Sequence, residues 1–168
     1  RYVHREVGIN SRLDSLQAAV LNVKLPHLID WTAARQANAA RYHELFSAVH
    51  LSDCFVLPSV APGARSVWNQ YTIRVTHGLR DALRQYLRDR GVGSEIYYPI
   101  PLHRQTCFAT LGYREGSLPH TEQAAREVLS LPVFPQLTAL EQETVVHHTV
   151  RFFASDAGRL HDYRSAAA

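Results

Sequence analysis

The chain has 168 residues, of which 46% are hydrophobic and 20% charged, a composition typical of an ordinary globular protein rather than a disordered or fibrous one. Its formal net charge of +3 comes from 18 basic and 15 acidic residues that are mixed along the chain. A net charge this small, without a cluster of basic residues, does not favour nucleic-acid binding. The sequence contains no secretory signal and no apolar run of transmembrane length.

The cysteines indicate the redox compartment of the protein, and the first residue indicates whether the sequence is a segment of a longer chain. Cys54 and Cys107 match no metal-binding or redox spacing, which predicts a reduced, cytoplasmic protein. The sequence has no Met and begins with Arg1, so we expect a segment of a longer chain. We predict three parts: a helical arm with a partner-facing loop over residues 1–50, a small α+β domain over 51–154 and a loose tail over 155–168.

The first predicted element is a long helical arm that starts near Leu13. Ser11 is followed three residues later by Asp14, which is the pattern of a capping box, and apolar residues then recur at helical spacing. Pro26 disfavours helical geometry in the residue before it, so we expect a break or kink there. A second helical run then continues to about Val49, and the two runs form one bent arm.

Strands and helices alternate after the arm. A short strand begins at Phe55, and the alternation in VWNQYTIRV predicts a strand over residues 67–75 with one buried face. A helix ends at Gly91, and GSEIYYPIPLH predicts a strand over 93–103 that enters a Pro-rich turn. Helices over 121–129 and 139–153 complete an α+β sandwich preceded by the helical arm.

Two places carry polar groups that suit a ligand. Asn10 and Arg12 precede the first helix, where free backbone N–H groups and the positive end of the helix dipole favour a phosphate or a carboxylate. Tyr97, Tyr98 and His103 surround a stiff Pro turn, where phenol and imidazole groups could hydrogen-bond a polar ligand. Structural explanations compete with both, because an Asn before a helix is often a cap and a Tyr at a strand end is often a core residue.

Other chemistries lack their signatures in this sequence. There is no G-x-S-x-G, Walker or G-x-G-x-x-G motif. The segment at His43 lacks the second His of H-E-x-x-H, and the neighbours His147 and His148 do not share a helix face, so we predict no metal site. Cys107 has no recognisable base partner, which argues against a thiol nucleophile.

Four motifs, taken together and in order, resemble the C-terminal part of the DegT/DnrJ/StrS family of nucleotide-sugar aminotransferases. The similarity runs from about Tyr2 to Phe153, and the motifs are VGINSRLDSLQAAVLNVKLPHLIDW, VWNQYTIRV, IYYPIPLHRQ and LSLPVFPQLT. The resemblance implies the C-terminal small domain of a fold-type I enzyme that uses pyridoxal 5′-phosphate (PLP) and works as a homodimer. It further implies transfer of an amino group from glutamate to a nucleotide-linked keto-sugar.

The resemblance also implies roles for the candidate site residues. Asn10 matches an Asn that reaches the PLP phosphate of the neighbouring subunit. Arg12 faces the same site and is suited to the carboxylate of the amino donor or to an anionic sugar. Tyr97, Tyr98 and His103 match a segment that borders the sugar-nucleotide pocket.

The groups that react with PLP are expected outside this segment. In the family, the lysine that forms the Schiff base and the acid that holds the pyridine nitrogen both lie in the preceding large domain. The sole lysine of this chain, Lys24, matches a helix position beside the packing stripe and does not replace the missing one. We therefore expect the segment alone to be inactive.

Two alternative functions remain open. The chain could be a binding or dimerisation module that kept the fold and lost catalysis, with its apolar helix stripes as partner surface. It could instead belong to a sugar dehydratase of the same fold, in which a His replaces the lysine. The sequence names neither the sugar, the nucleotide nor the carbon that is aminated.

Overall fold

The computed structural model describes residues 2–49, 51 and 53–155, and the predicted loose tail lies almost entirely outside them. Five α-helices and three short strands follow one another in this part of the chain. The order is α1 (Ser15–Lys24), α2 (Leu28–Ser47), β1 (Phe55–Val56), β2 (Tyr71–Val75), α3 (Arg80–Arg88), α4 (Pro119–Glu127), β3 (Val128–Leu131) and α5 (Ala139–Ala154).

The predicted helical arm is present as α1 and α2. The helices are joined by a 3-10 turn over Leu25–His27 that contains Pro26, so the predicted break is confirmed. The predicted capping box is wrong: Asp14 is itself the N-cap of α1, and its carboxylate accepts a hydrogen bond from the backbone N–H of Gln17 at 2.8 Å. Since Ser11 lies three residues before that cap, it stands outside the helix.

The strands form one antiparallel sheet in the order β1-β2-β3. Phe55 pairs with Val75, and Tyr71 pairs with Leu131 at the other end of β2. The strand predicted over 67–75 begins only at Tyr71, because the backbone at Trp68 has a φ of +48°, which is incompatible with an extended strand.

Two further sequence predictions fail in the sheet. The helix expected over 121–129 ends at Glu127, and the residues that follow form β3 because they pair with β2. The strand expected over 93–103 is reduced to a single bridge in which Glu95 and Ser130 exchange both backbone hydrogen bonds. Pro99 and Pro101 deny the ladder two N–H donors, which explains why pairing does not continue.

The core lies between the sheet and the helices α2, α3 and α5. Alternate residues of β2 point into it, as the alternation in the sequence predicts, whereas Val67 lies before the strand and is exposed. The largest fully buried side chains include Tyr42, Phe46, Tyr71, Ile73, Leu83, Leu87 and Phe152. The fold is therefore α+β with a helical arm at its N-terminal end, as predicted.

Polar side chains fasten the elements that surround this core. Arg80 is 8% exposed, and its guanidinium donates to the carbonyl oxygens of Ala125 at 3.0 Å and Val128 at 3.2 Å, which joins α3 to the end of α4 and the start of β3. Thr138 begins α5 with a complete capping box, in which Glu141 is the reciprocal partner. No helix in the described ranges is both long and apolar enough to cross a membrane.

Candidate ligand-binding site

Asn10 and Arg12 lie in an exposed segment that leads into α1. Both side chains are exposed. We expected free backbone N–H groups at the start of α1 to favour an anion. This is wrong for the N–H of Gln17, because it already donates to the Asp14 carboxylate. A carboxylate at the helix entrance also opposes a second anion there, so the side chains of Asn10 and Arg12 become more important for any anion binding in this segment.

The start of the chain is tied to the segment around Gln105. The buried Gln105 carboxamide accepts from the backbone N–H of His4 at 3.0 Å and donates to the carbonyl of Tyr2 at 2.9 Å. The backbone N–H of Cys107 donates to the carbonyl of His4 at 3.1 Å. These three bonds fix residues 2–4 beside the Pro-rich turn, and the rings of Tyr2 and Tyr98 meet edge to face at 5.8 Å.

Tyr97 and Tyr98, joined by a cis peptide bond, line an open cleft of about 490 Å³ between the Pro-rich turn and α4. Tyr97 is half-buried, and Tyr98 is 64% exposed. The remaining wall is mostly apolar and comes from His4, Ile100, Pro101, Leu102, Gln105, Thr121, Ala124, Ala125 and Val128. An apolar cleft with phenol groups at its edge suits a ligand that has both a flat apolar face and hydroxyl groups.

His103 does not line that cleft but is buried behind it. Its Nε2 lies 3.0 Å from Oε1 of Glu122, which is also buried. Glu122 accepts further hydrogen bonds from the backbone N–H groups of Gly116, at 2.8 Å, and Leu118, at 3.4 Å. The Gly116 N–H is the main cause that lowers the pKa of Glu122, and the bond to His103 acts in the same direction.

The five predicted residues therefore fall into two groups. The structure brings Tyr97, Tyr98 and His103 together around one turn, while Asn10 and Arg12 lie in the loop before α1 and outside the lining of the tyrosine cleft. Lys24 lies on exposed helix surface and is not part of that lining either.

Sequence reasoning missed two residues that shape this region. In the sequence, Glu122 resembles an ordinary exposed residue of an amphipathic helix. Gln105 is the last residue of IYYPIPLHRQ, and no other signal in the sequence distinguishes it. Only their burial and their long-range hydrogen bonds reveal them. Among the described residues, no three His, Cys, Asp or Glu side chains gather as a metal site would require.

Comparison with known proteins defines the class to which this fold and cleft belong. The model of the DegT/DnrJ/EryC1/StrS aminotransferase family matches residues 1–150. The chain belongs to this family, and its fold is the one that PLP-dependent aminotransferases of the family share.

Particular relatives agree with this assignment over most of the chain. A pleiotropic regulatory protein of Geobacillus stearothermophilus is 46% identical over 91% of this chain and 40% of its own length. A dTDP-3-amino-3,4,6-trideoxy-α-D-glucose transaminase of Streptomyces venezuelae is 42% identical over 82% of this chain and 35% of its own length. The chain thus spans about two fifths of the length of the curated relatives that it matches.

A solved structure supports the fold directly. The crystal structure of S. venezuelae DesV, in complex with a ketimine intermediate, superposes with a TM-score of 0.77 at 39% sequence identity. The superposition covers 92% of this chain and 40% of DesV. By its name, the S. venezuelae transaminase acts on a dTDP-linked deoxyamino sugar.

Proposed function

We propose that this chain is the C-terminal part of a PLP-dependent aminotransferase that moves an amino group from glutamate to a nucleotide-linked keto-sugar. The observation that carries the proposal is the family match through nearly the whole described chain, together with the open tyrosine cleft. In this proposal the complete protein is a homodimer and is located in the cytoplasm.

The residues before α1 fit a role toward the PLP phosphate. Asn10 is exposed and ends in a carboxamide that donates hydrogen bonds, and Arg12 adds a planar guanidinium that pairs with carboxylates or phosphates. PLP supplies the carbonyl that accepts the amino group and the ring that withdraws electrons. Asn10 then holds the phosphate of the partner subunit's PLP, and Arg12 orients the carboxylate of glutamate or an anionic part of the sugar substrate.

The Pro-rich turn fits a role toward the sugar nucleotide. Tyr97 and Tyr98 present phenol groups at the edge of an apolar cleft, where they orient the substrate by hydrogen bonds and exclude water. His103 borders this segment from inside the fold, where its bond to Glu122 at 3.0 Å holds the turn in place. We place the Schiff-base lysine outside this segment, because the family carries it in the preceding large domain and Lys24 matches a helix position beside the packing stripe.

A cofactor measurement on the full-length gene product tests the proposal. We expect PLP absorbance that changes when glutamate is added. Asn10→Ala should raise the dissociation constant of PLP about 10- to 100-fold, because one hydrogen bond to a charged phosphate is lost. Asn22→Ala, on the exposed surface of α1, is the matched control and should leave PLP affinity unchanged. Equal PLP affinity in wild type and Asn10→Ala would contradict the role of Asn10.

The name of the Geobacillus relative describes regulation, and this favours a non-catalytic binding or dimerisation module as the second candidate function. The same measurement separates the two. A full-length protein that binds no PLP would favour the module. Binding of PLP without a response to glutamate would instead favour a dehydratase of the same fold.

A further inference from the structure

Gln105 joins the Pro-rich turn to the first residues of the chain. It is 5% exposed, and its carboxamide bonds to backbone groups that lie 101 and 103 residues earlier in the sequence. The carboxamide oxygen accepts from the N–H of His4 at 3.0 Å, and the carboxamide nitrogen donates to the carbonyl of Tyr2 at 2.9 Å. Because one side chain uses both its acceptor and its donor in this way, it fixes residues 2–4 against the turn.

The turn that carries Gln105 is itself held in place. The N–H of Gln105 donates to the carbonyl of Leu102 at 3.1 Å, and its carbonyl accepts from the N–H of Phe108 at 2.9 Å. Two residues earlier, the buried His103 lies 3.0 Å from the Glu122 carboxylate, which ties the turn to α4. The side chain of Gln105 therefore extends from a fixed point of the fold.

The backbone of Tyr2 shows that this attachment constrains the start of the chain. Its φ of +67° lies in the left-handed region, which is unfavourable for an L-residue with a large side chain. The carbonyl of Tyr2 accepts from Gln105, and its ring meets that of Tyr98 edge to face at 5.8 Å. Because such a backbone conformation persists only where the surroundings hold it, the bond from Gln105 contributes to holding Tyr2.

The segment that follows, residues 5–13, carries Asn10 and Arg12 and lacks such bonds. All of its residues are exposed, and none of them makes a hydrogen bond to another described residue. Its far end is fixed at Asp14, the N-cap of α1. The position of Asn10 is therefore determined by the two ends of the segment, at His4 and Asp14, rather than by hydrogen bonds of the segment itself.

We propose that Gln105 is a positioning residue for the PLP phosphate. By fixing residues 2–4 it sets the point from which the segment 5–13 extends. It thereby reduces the number of positions that Asn10 samples before it binds the phosphate of the partner subunit's PLP. This inference rests on the function proposed above and deepens it. In this role Gln105 acts on the phosphate through Asn10 rather than by direct contact.

Binding of PLP by the full-length protein tests this role. Gln105→Met keeps the length of the side chain and removes both hydrogen-bonding groups, and it should raise the dissociation constant of PLP about 3- to 10-fold. The effect should be smaller than that of Asn10→Ala, because the backbone bond from Cys107 to His4 remains. Gln85→Met, at an exposed position of α3, is the matched control and should leave PLP affinity unchanged.

A double-mutant cycle shows whether Gln105 acts through Asn10. In the Asn10→Ala background the bond to the phosphate is already absent, so Gln105→Met should then change the dissociation constant of PLP by less than about twofold. Full additivity of the two changes would overturn the inference. An unchanged dissociation constant in Gln105→Met alone would also overturn it.

Two further readouts separate positioning from a general loss of stability. Thr138→Ala weakens the cap of α5, outside the lining of the tyrosine cleft, and should lower Tm without changing PLP affinity. At saturating PLP, Gln105→Met should raise the KM for glutamate or for the sugar nucleotide, because Arg12 lies in the same segment as Asn10. A fall in kcat with both KM values unchanged would indicate less folded enzyme and would overturn the inference.

A second variant and the wild-type protein complete the test. If Gln105→Met fails to fold, Gln105→Glu carries the test, since it keeps the acceptor for His4 and removes the donor for Tyr2. A wild-type protein that takes up no PLP overturns the proposed function and this inference with it. A wild-type protein that binds PLP, and loses affinity in Asn10→Ala but in neither Gln105 variant, overturns the inference alone.

Discussion

The carboxylate of Glu122 holds the loop before α4 and the Pro-rich turn together. It accepts hydrogen bonds from the backbone N–H groups of Gly116 and Leu118 and faces Nε2 of the buried His103. The tyrosines of the cleft belong to the same turn as His103, five and six residues earlier. Glu122 thus acts on the cleft through His103, as a positioning residue.

We predict that Glu122→Gln lowers the Tm by about 3–6 °C at neutral pH, because a carboxamide leaves at least one of the three donors without an acceptor. The native fold lowers the pKa of Glu122 from its usual value of 4.5, so this stabilisation is complete above that pH and is lost as the pH falls through the lower, folded-state pKa. The difference in Tm between wild type and Glu122→Gln should therefore shrink below about pH 4.5.

The control for this prediction is Glu115→Gln, in an exposed position of the neighbouring loop. It should leave Tm and its dependence on pH close to those of wild type. A difference between Glu122→Gln and wild type that is the same at all pH values would argue against the charged form as the source of the stabilisation.

Individual residues show where sequence reasoning succeeds and where it stops. The exposed positions of Asn10 and Tyr98 agree with roles toward a ligand, but those roles came from the family resemblance and remain predictions. Gln105 and Glu122 escaped notice because neither residue forms part of a periodic pattern. Their significance depends on partners that are distant in sequence: Gln105 is 103 residues from Tyr2, and Glu122 is 19 residues from His103.

At the scale of elements, α5 shows a helix whose start is determined by local chemistry. The Thr138 hydroxyl accepts from the backbone N–H of Glu141 at 3.3 Å, and the Glu141 carboxylate accepts from the backbone N–H of Thr138 at 2.8 Å. The Thr138 N–H is the main cause that lowers the pKa of Glu141. The other end of α5 carries Phe152 and Phe153, which are both buried in the core.

We predict that Thr138→Ala reduces the free energy of unfolding by about 1 kcal/mol, because the first turn of α5 loses its side-chain acceptor. Denaturant titration of the protein gives this value. Thr144→Ala, on the exposed side of the same helix, should change it by less than about 0.5 kcal/mol. An equal loss in both variants would mean that the loss does not come from the cap.

The elements that were predicted correctly are those with local signals. The Pro26 break, the start of α5 and the buried face of β2 follow from capping, from proline geometry and from alternation. The strand β3 was missed because Val128–Leu131 continues the apolar spacing of α4, and only pairing with β2 makes it extended. The start of α1 was misplaced because Ser11 and Asp14 are both acceptable caps in sequence.

For the whole molecule, the main feature is the uncovered apolar surface of the arm. Helix α1 has no buried residue, and its stripe includes Leu16 at 77%, Val20 at 53% and Val23 at 72% exposure. So large a contiguous apolar surface is rare on a monomeric protein and indicates a contact with further protein. The chain spans about two fifths of its relatives, which leaves both the rest of the protein and a second subunit as sources of that contact.

We predict that the isolated 168-residue segment self-associates through this stripe. Replacing Leu16 and Val23 with Gln should raise the dissociation constant of self-association at least about tenfold, because the apolar area that association removes from water is reduced. Sedimentation velocity over a range of concentrations measures the effect. Leu21→Gln, exposed on the same helix but turned away from the stripe, is the control. A parent segment that stays monomeric throughout that range would refute the prediction.

The two edges of the sheet differ from the exposed surface of α1, because they offer little to an incoming chain. On one margin β1 is only two residues long. On the other, Glu95 bridges Ser130 of β3, and Pro132 follows the strand with no N–H to offer an incoming strand. Strand addition, the usual route to fibrous aggregates, is therefore disfavoured at both margins of the described sheet, and the exposed apolar surface lies on a helix instead.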